Sequence, residues 1–236
     1  MMSGKRWGYV VQFFCLLVFL GMSPFLIKMD GRKTRSVSSD SVRSQNVSDE
    51  VKPVVALTFD DGPNASSTPI LLDGLKERKV RATFFLIGEN VEKDENEKIV
   101  KRMYEEGHLI GNHTYRHVDL SKISGREAEK EIKTTDEAIK KITGHETEFI
   151  RPPFGAMPEG EEDPDKIYVK WTVDSLDWVT KDTEKIVEKV TADTKEGDVI
   201  LMHDCYGESV EAALQIVDIM EKQGYEFVTA DELIIN

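Results

Sequence analysis

Two carboxylates stand side by side in Thr58-Phe59-Asp60-Asp61-Gly62-Pro63. Carboxylates act as general bases and as oxygen ligands for divalent cations. Adjacent residues of an extended strand point to opposite faces, so a shared site requires the chain to turn, which Gly62-Pro63 permits. Asp-Gly turns are common in any protein, and the pair alone decides nothing. Further along, Asn112-His113-Thr114-Tyr115-Arg116-His117 carries two imidazoles four residues apart. That spacing puts both on one helical face, or lets them converge in a folded-back loop, as nitrogen ligands for one zinc-like ion. Two surface histidines would show the same spacing.

Three more segments carry reactive side chains. In Phe149-Ile150-Arg151-Pro152-Pro153-Phe154-Gly155, the prolines fix the backbone and Arg151 can orient a carboxylate through a forked pair. Trp171-Thr172-Val173-Asp174-Ser175-Leu176-Asp177-Trp178 offers two acids between indoles, and Ile200-Leu201-Met202-His203-Asp204 places a histidine after an apolar run. The remaining histidines have duller settings. His108 falls within an apolar strand pattern and His145 in an acidic turn, so both read as structural or exposed.

Each motif follows a short apolar stretch, and these stretches must position the chemistry. Seven strands are expected: Val54 to Phe59, Ala82 to Leu86, His108 to Asn112, Glu148 to Ile150, Tyr168 to Val173, Val199 to Met202 and Tyr225 to Val228. Helical periodicity fills most intervals. Ala128, Ile132, Thr135, Ile139 and Ile142 share a face over Ser124 to Ile142, as do Val210, Ala213, Leu214 and Val217 over Ser209 to Gln223, and a glycine ends each run. Strands alternating with helices imply a largely parallel sheet covered on both faces. A barrel and an open sheet both satisfy the pattern. Reactive residues would then gather at the C-terminal strand ends, where parallel folds place their sites. The stretch Met157 to Lys166, with two prolines and five acids, reads as an exposed loop.

The chain of 236 residues suits one catalytic-size domain. Residues 1–28 hold an uncharged apolar segment, Trp7 to Ile27, flanked by Lys5, Arg6 and Lys28. Its length matches the roughly 20 residues of a membrane-spanning helix, whereas a cleaved signal has a shorter apolar region of about 7 to 15. An anchor is expected, with cleavage after Ser23 as the alternative. Residues 29–52 are polar and read as a linker, leaving 53–236 as the catalytic domain. The net charge is −13, and the basic residues crowd the N-terminal end, so the remainder is more acidic still. Such a surface repels a phosphate backbone, and nucleic acid is excluded as a partner. Cys15 and Cys205 are the only cysteines, and no disulfide framework follows from them. Nothing in the pattern fixes an oligomeric state.

Together, and in this order, the five motifs resemble the polysaccharide deacetylase family, carbohydrate esterase family 4, also called the NodB-homology domain. The resemblance runs from about Pro53 to Glu232. It implies an α/β fold, a distorted parallel (β/α)7-type barrel forming a single catalytic domain. It implies that Asp61, His113 and His117 hold a divalent metal, commonly zinc and sometimes cobalt or another ion. Asp60 would be the general base, oriented by Arg151. His203, oriented by Asp177, would protonate the leaving amine. The backbone N–H of Phe154 would stabilise the oxyanion, Leu201 and Trp178 would line the acetyl pocket, and Asp174 would play a supporting part. The implied reaction is metal-dependent hydrolysis of N-acetyl groups from an N-acetylglucosamine-containing polysaccharide.

Peptidoglycan is expected ahead of chitin, because an anchor would hold the domain outside the cell membrane beside a wall, or release it there if the segment is cleaved. A catalytically silent glycan-binding relative is the alternative from another class. Two departures from the family pattern stand out. Phe154 replaces a common Tyr, which leaves a main-chain role intact, and the loop Met157 to Lys166 is shorter than its usual helical counterpart and acidic.

Overall fold

The computed structural model describes residues 52–158 and 163–235. Eight parallel strands are present among them: β1 (Val54–Gly62), β2 (Thr83–Leu86), β3 (Leu109–Asn112), β4 (Phe149–Ile150), β5 (Ile167–Tyr168), β6 (Val173–Asp174), β7 (Val199–His203) and β8 (Glu226–Val228). The helices are α1 (Thr68–Arg78), α2 (Gly88–Val91), α3 (Glu97–Glu105), α4 (Gly125–Thr143), α5 (Asp177–Thr180), α6 (Thr183–Asp193), α7 (Gly207–Lys222) and α8 (Ala230–Ile235). The strands follow the order β5-β4-β3-β2-β1-β7-β6 in a curled, barrel-like sheet. Strand β1 lies at its centre. One edge of β1 pairs with β7, while β8 takes Val54 to Ala56 on the other edge and β2 takes the part beyond Thr58.

The period of two along each strand sorts side chains between the faces. From β1, Val55, Leu57 and Phe59 join Phe84 and Leu86 of β2 and Ile200 and Met202 of β7 in the main apolar core. Buried residues of α1, α2, α3, α4, α6 and α7 also join that core. The alternate residues, Ala56, Thr58 and Asp60 of β1 with Leu201 and His203 of β7, point the other way. Fully burying one large apolar side chain contributes roughly 1.5–3 kcal/mol, so this outer layer fixes which strand residues can face the site. Helix α4 begins where the sequence reading places it, because Ser124 and Glu127 form a reciprocal capping box, and Gly144 ends it at φ 80°.

One expected strand is different. Tyr168 to Val173 is split: β5 pairs only with β4, and β6 pairs only with β7. The two are the ends of the strand order, so the curled sheet has a seam between them. The Arg151 guanidinium occupies that seam, donating to the carbonyls of Val169 (3.2 Å) and Lys170 (3.3 Å) and lying 4.3 Å over the Phe85 ring. Side-chain donors replace a strand ladder there, which no hydrophobic pattern reveals. The expected anchor and linker lie at 1–51, outside the described residues, as do 159–162 within the acidic loop. No helix among the described residues is long and apolar enough to cross a membrane.

Candidate active site

Asp60 closes the β1 ladder opposite His203 and is 3% exposed. Its Oδ1 accepts from Arg151 Nη1 at 2.8 Å, and the same nitrogen donates to Thr58 Oγ1 at 2.7 Å. Arg151 is fully buried. With its donors committed to Asp60, Thr58 and two carbonyls, it holds the carboxylate in one orientation. Breaking such a buried pair by removing one partner costs about 3–5 kcal/mol.

The chain turns directly after Asp60. Asp61 has φ 71°, and this left-handed residue brings the second carboxylate toward the histidines rather than into the outer core. Asp61 Oδ1 lies 3.2 Å from His117 Nε2 and 3.5 Å from His113 Nε2. One ligand atom from each of the three residues falls within 4.8 Å of the others. His113 Nδ1 is 2.6 Å from the Arg151 carbonyl oxygen. A carbonyl only accepts, so Nδ1 carries the proton and Nε2 presents its lone pair to Asp61. Asp61 Oδ1 is buried and has no hydrogen-bond partner among the described residues. Two imidazole nitrogens converging on an orphaned carboxylate oxygen fit a single divalent cation of the zinc type.

Electrostatics agree with that fit. Burial disfavours the charged Asp61, but the imidazoles of His113, His117 and His203 beside it outweigh that and hold the carboxyl below its usual range. Burial also lowers His117 despite Asp61, favouring the neutral ring that a cation needs.

The histidine loop is strained and heavily tied. Thr114 and His117 have φ 63° and 55°, unfavourable for a β-branched or bulky residue. Asn112 Oδ1 accepts the Thr114 N–H at 2.8 Å, and its Nδ2 donates to the Ile132 carbonyl and to Asp136 Oδ1, both at 2.8 Å. Asp136 is paired with Lys166 at 2.7 Å. Buried Glu131 receives the Arg116 N–H at 2.8 Å and its guanidinium at 2.6 Å. The start of α2 adds Gly88 N–H to the Thr114 carbonyl, and Asn90 Nδ2 donates to the Asp61 carbonyl at 2.8 Å.

His203 is held from behind. Asp177 is fully buried, its Oδ1 is 2.8 Å from His203 Nδ1, and its Oδ2 accepts the His203 N–H at 2.8 Å. The second ring nitrogen, Nε2, therefore faces Asp61 Oδ2 at 3.9 Å. Burial works against the imidazolium, but Asp177, then Asp60 and Asp61, raise His203 to about 9. At neutral pH the ring carries a proton.

These groups open on one pocket of about 410 Å³, within the range of small-molecule sites. Of the residues expected from sequence, Asp60, Asp61, His113, His117, Phe154, Trp178, Leu201 and His203 line it, whereas Arg151 and Asp177 stand buried behind it. Trp171, Asp174 and Tyr206 join the lining. Phe154 adopts φ 60° and is 68% exposed, with its ring edge-on to His117. His108 is structural, as expected: its Nδ1 accepts the Ala82 N–H at 3.0 Å and burial lowers it to about 4. His145 stacks on Tyr104, away from the pocket. Sequence reasoning gave no role to Asn90, Asp136, Tyr206 or Asp204. Asp204 directly follows His203 in sequence, and that place is the one signal the sequence offers for it.

A cation site opening on a pocket, flanked by an arginine-held carboxylate and an aspartate-held imidazolium, defines a metal-dependent hydrolase. Comparison with known proteins narrows the class. The polysaccharide deacetylase family pattern matches residues 48–163. A peptidoglycan-N-acetylglucosamine deacetylase of Bacillus cereus is 42% identical over 186 residues, covering 75% of this chain and 67% of that protein. PdaC of Bacillus subtilis, a peptidoglycan-N-acetylmuramic acid deacetylase, is 38% identical over 82% of this chain, which spans only 41% of PdaC. The solved PdaC structure superposes with a TM-score of 0.74, covering 78% of this chain and 90% of the solved one. A family 4 acetyl xylan esterase from Clostridium thermocellum, solved with a cobalt ion, is 33% identical with a TM-score of 0.70, covering 77% and 90%. This chain belongs to the polysaccharide deacetylase family, whose members are metal-dependent.

Proposed function

We propose that this chain hydrolyses N-acetyl groups on N-acetylglucosamine residues of peptidoglycan, releasing acetate and leaving the free amine. The observation that carries the reading is the convergence of the Asp60–Arg151 pair, the Asp61-His113-His117 cluster and the Asp177–His203 pair on one pocket. The names of its relatives support the substrate class.

Asp61, His113 and His117 would hold the cation, most readily zinc from their donor set, with cobalt or another divalent ion as a substitute. When bound, it supplies Lewis-acid chemistry, polarising the acetamide carbonyl and acidifying water. Asp60 then takes the proton of the attacking water on Oδ2, since Oδ1 is committed to Arg151. The backbone N–H of Phe154 donates to the developing oxyanion. His203 gives its Nε2 proton to the departing nitrogen, and Asp177 steadies the imidazolium until transfer. Leu201 and Trp178 enclose the acetyl methyl. Proton balance is restored when the Asp60 proton leaves and His203 is reprotonated from solvent.

Residues 1–28 act in this reading as a membrane anchor, with 29–52 as a tether that holds the catalytic domain on the outer side near the wall. The uncharged stretch Trp7 to Ile27 supports it. Mass spectrometry of defined peptidoglycan and chitooligosaccharide fragments, incubated with the zinc-loaded protein, is the test. Loss of acetate from N-acetylglucosamine is expected. Loss only from N-acetylmuramic acid would move the substrate assignment, and no loss from any glycan would overturn the reading.

A further inference from the structure

Asp204 is fully buried and out of reach of substrate, yet it is tied to both halves of the site. It follows His203 directly. Ser67 Oγ donates to its carbonyl at 2.6 Å, and Thr68 Oγ1 donates to its Oδ2 at 2.6 Å. The Thr68 oxygen in turn accepts the Asn64 N–H at 2.8 Å. The segment after Pro63 is thereby pinned to the end of β7. Oδ1 of the same carboxyl is buried without a hydrogen-bond partner among the described residues. An orphaned buried acceptor is costly, so a side chain kept only for packing would be better apolar.

The other face of the carboxyl rests on Gly62. A Cβ built at Gly62 would lie 2.5 Å from Asp204 Oδ2, 2.7 Å from Oδ1 and 2.9 Å from Cγ. Gly62 is not among the residues with positive φ, so its backbone alone would accept an L side chain. Asp204 is what excludes one. The β1–β7 ladder sets Asp60 opposite His203 and ends there, the β1–β2 register shifts between Asp60 and Gly62, and Asp61 is left-handed. Beyond Asp60, strand pairing with β7 no longer fixes where the Asp61 carboxylate sits.

We propose that Asp204 is a positioning residue: by close packing on Gly62 it sets the Asp60–Pro63 segment, and with it Asp61, against the strand end that carries His203. The inference rests on the hydrolase reading above, and it explains why glycine stands between Asp61 and Pro63.

The test uses the full-length chain, titrated with zinc ion alone and then assayed on an N-acetylglucosamine oligomer. Asp204→Ala removes the contact. It should weaken zinc binding about 10- to 100-fold and lower kcat by about tenfold or more, with a smaller change in KM. Asp204→Asn keeps the shape and the Thr68 acceptor, and places its amide nitrogen where Oδ1 has no partner to lose. It should recover most of both effects. Gly62→Ala should weaken zinc binding by driving a Cβ into the carboxyl, and adding Asp204→Ala should restore part of that loss. Ile186→Ala, a truncation of a fully buried α6 residue, controls for destabilisation. It should lower the melting temperature while leaving zinc affinity within about twofold.

An Asp204→Ala protein that is folded at the assay temperature and binds zinc as tightly as wild type would overturn the proposal. So would a Gly62→Ala/Asp204→Ala protein that binds zinc no better than Gly62→Ala. If wild type bound zinc but released no acetate, the hydrolase reading would fall while the zinc affinities still decided the role of Asp204.

Discussion

Asp60 and Asp61 are chemically identical and adjacent, yet the structure gives them different neighbours. Asp60 is fixed by Arg151 on the concave face, and Asp61 is turned by its left-handed φ into the imidazoles. Asp60→Asn should therefore retain zinc and lose about 10²- to 10⁴-fold in kcat, the range of a general base. His113→Ala should lose zinc itself. Elemental analysis beside turnover separates the two, and equal metal loss in both variants would refute the division of roles. The acid partner makes a pH prediction. His203 must be protonated to serve a departing amine, so activity should fall as pH rises through its pKa, raised to about 9 chiefly by Asp177. A bound cation opposes the carboxylates and places the limb of the loaded enzyme below that value. Asp177→Asn removes the largest raising contribution, and the alkaline limb of the kcat profile should move to lower pH. A limb unmoved by this change would mean that His203 is not the titrating acid. These residues could be singled out in the sequence because their types have few chemical uses and their motifs follow apolar runs, while their division of roles came only from the family resemblance. The orientation of the Asn112 amide and the burial of Asp204 were not legible, because both are set by partners distant in sequence.

Elements deliver these side chains through strand ends and the turns that follow them. The apolar runs predicted β1, β2, β3 and β7 closely, because two-sided burial leaves a continuous hydrophobic signal. The same signal failed from Tyr168 to Val173. Val169 and Val173 are buried there, but they serve opposite sides of a seam that Arg151 fills. Hydrophobicity reports burial, not pairing partner. The histidine loop shows how an element is held in a strained shape: Asn112 fixes Thr114, α4 supplies Ile132 and Asp136, and Lys166 braces Asp136 from the end of the acidic loop. Asn112→Ala removes the acceptor of the Thr114 N–H and leaves Asp136 short of a donor. Zinc affinity should drop about 10- to 100-fold, as for other residues that orient metal ligands. Lys166→Met should cause a smaller drop, since Asp136 also accepts from Thr147. Zinc titration measures both. An Asn112→Ala protein with unchanged affinity would show that the contacts of α2 and Glu131 suffice to hold the loop.

At the scale of the molecule, charge is distributed unevenly along the chain. Its net value is −13, while Lys5, Arg6, Lys28, Arg32, Lys33 and Arg35 gather near the N-terminus against a single acid, Asp30. The catalytic part is thus strongly acidic. The pocket lining itself is near balance, with Asp60, Asp61 and Asp174 set against a divalent cation and the protonated His203, so the excess negative charge lies on the surrounding surface. Like charges slow encounter, and salt screens them over a Debye length of about 10 Å at 0.1 M. Peptidoglycan fragments that retain stem peptides carry carboxylates, whereas chitooligosaccharides are neutral. Raising the ionic strength from about 10 mM to 150 mM should therefore increase kcat/KM on the peptide-bearing fragments several-fold and leave the neutral oligomer nearly unchanged. The proposed tether makes that repulsion tolerable, because a domain held beside its substrate meets it at high effective concentration and does not depend on diffusional steering. Release of the domain by cutting within residues 29–52 should then reduce deacetylation of intact walls at low salt more than at high salt. If the freed and tethered forms respond to salt alike, the acidic surface is not what limits access to the wall.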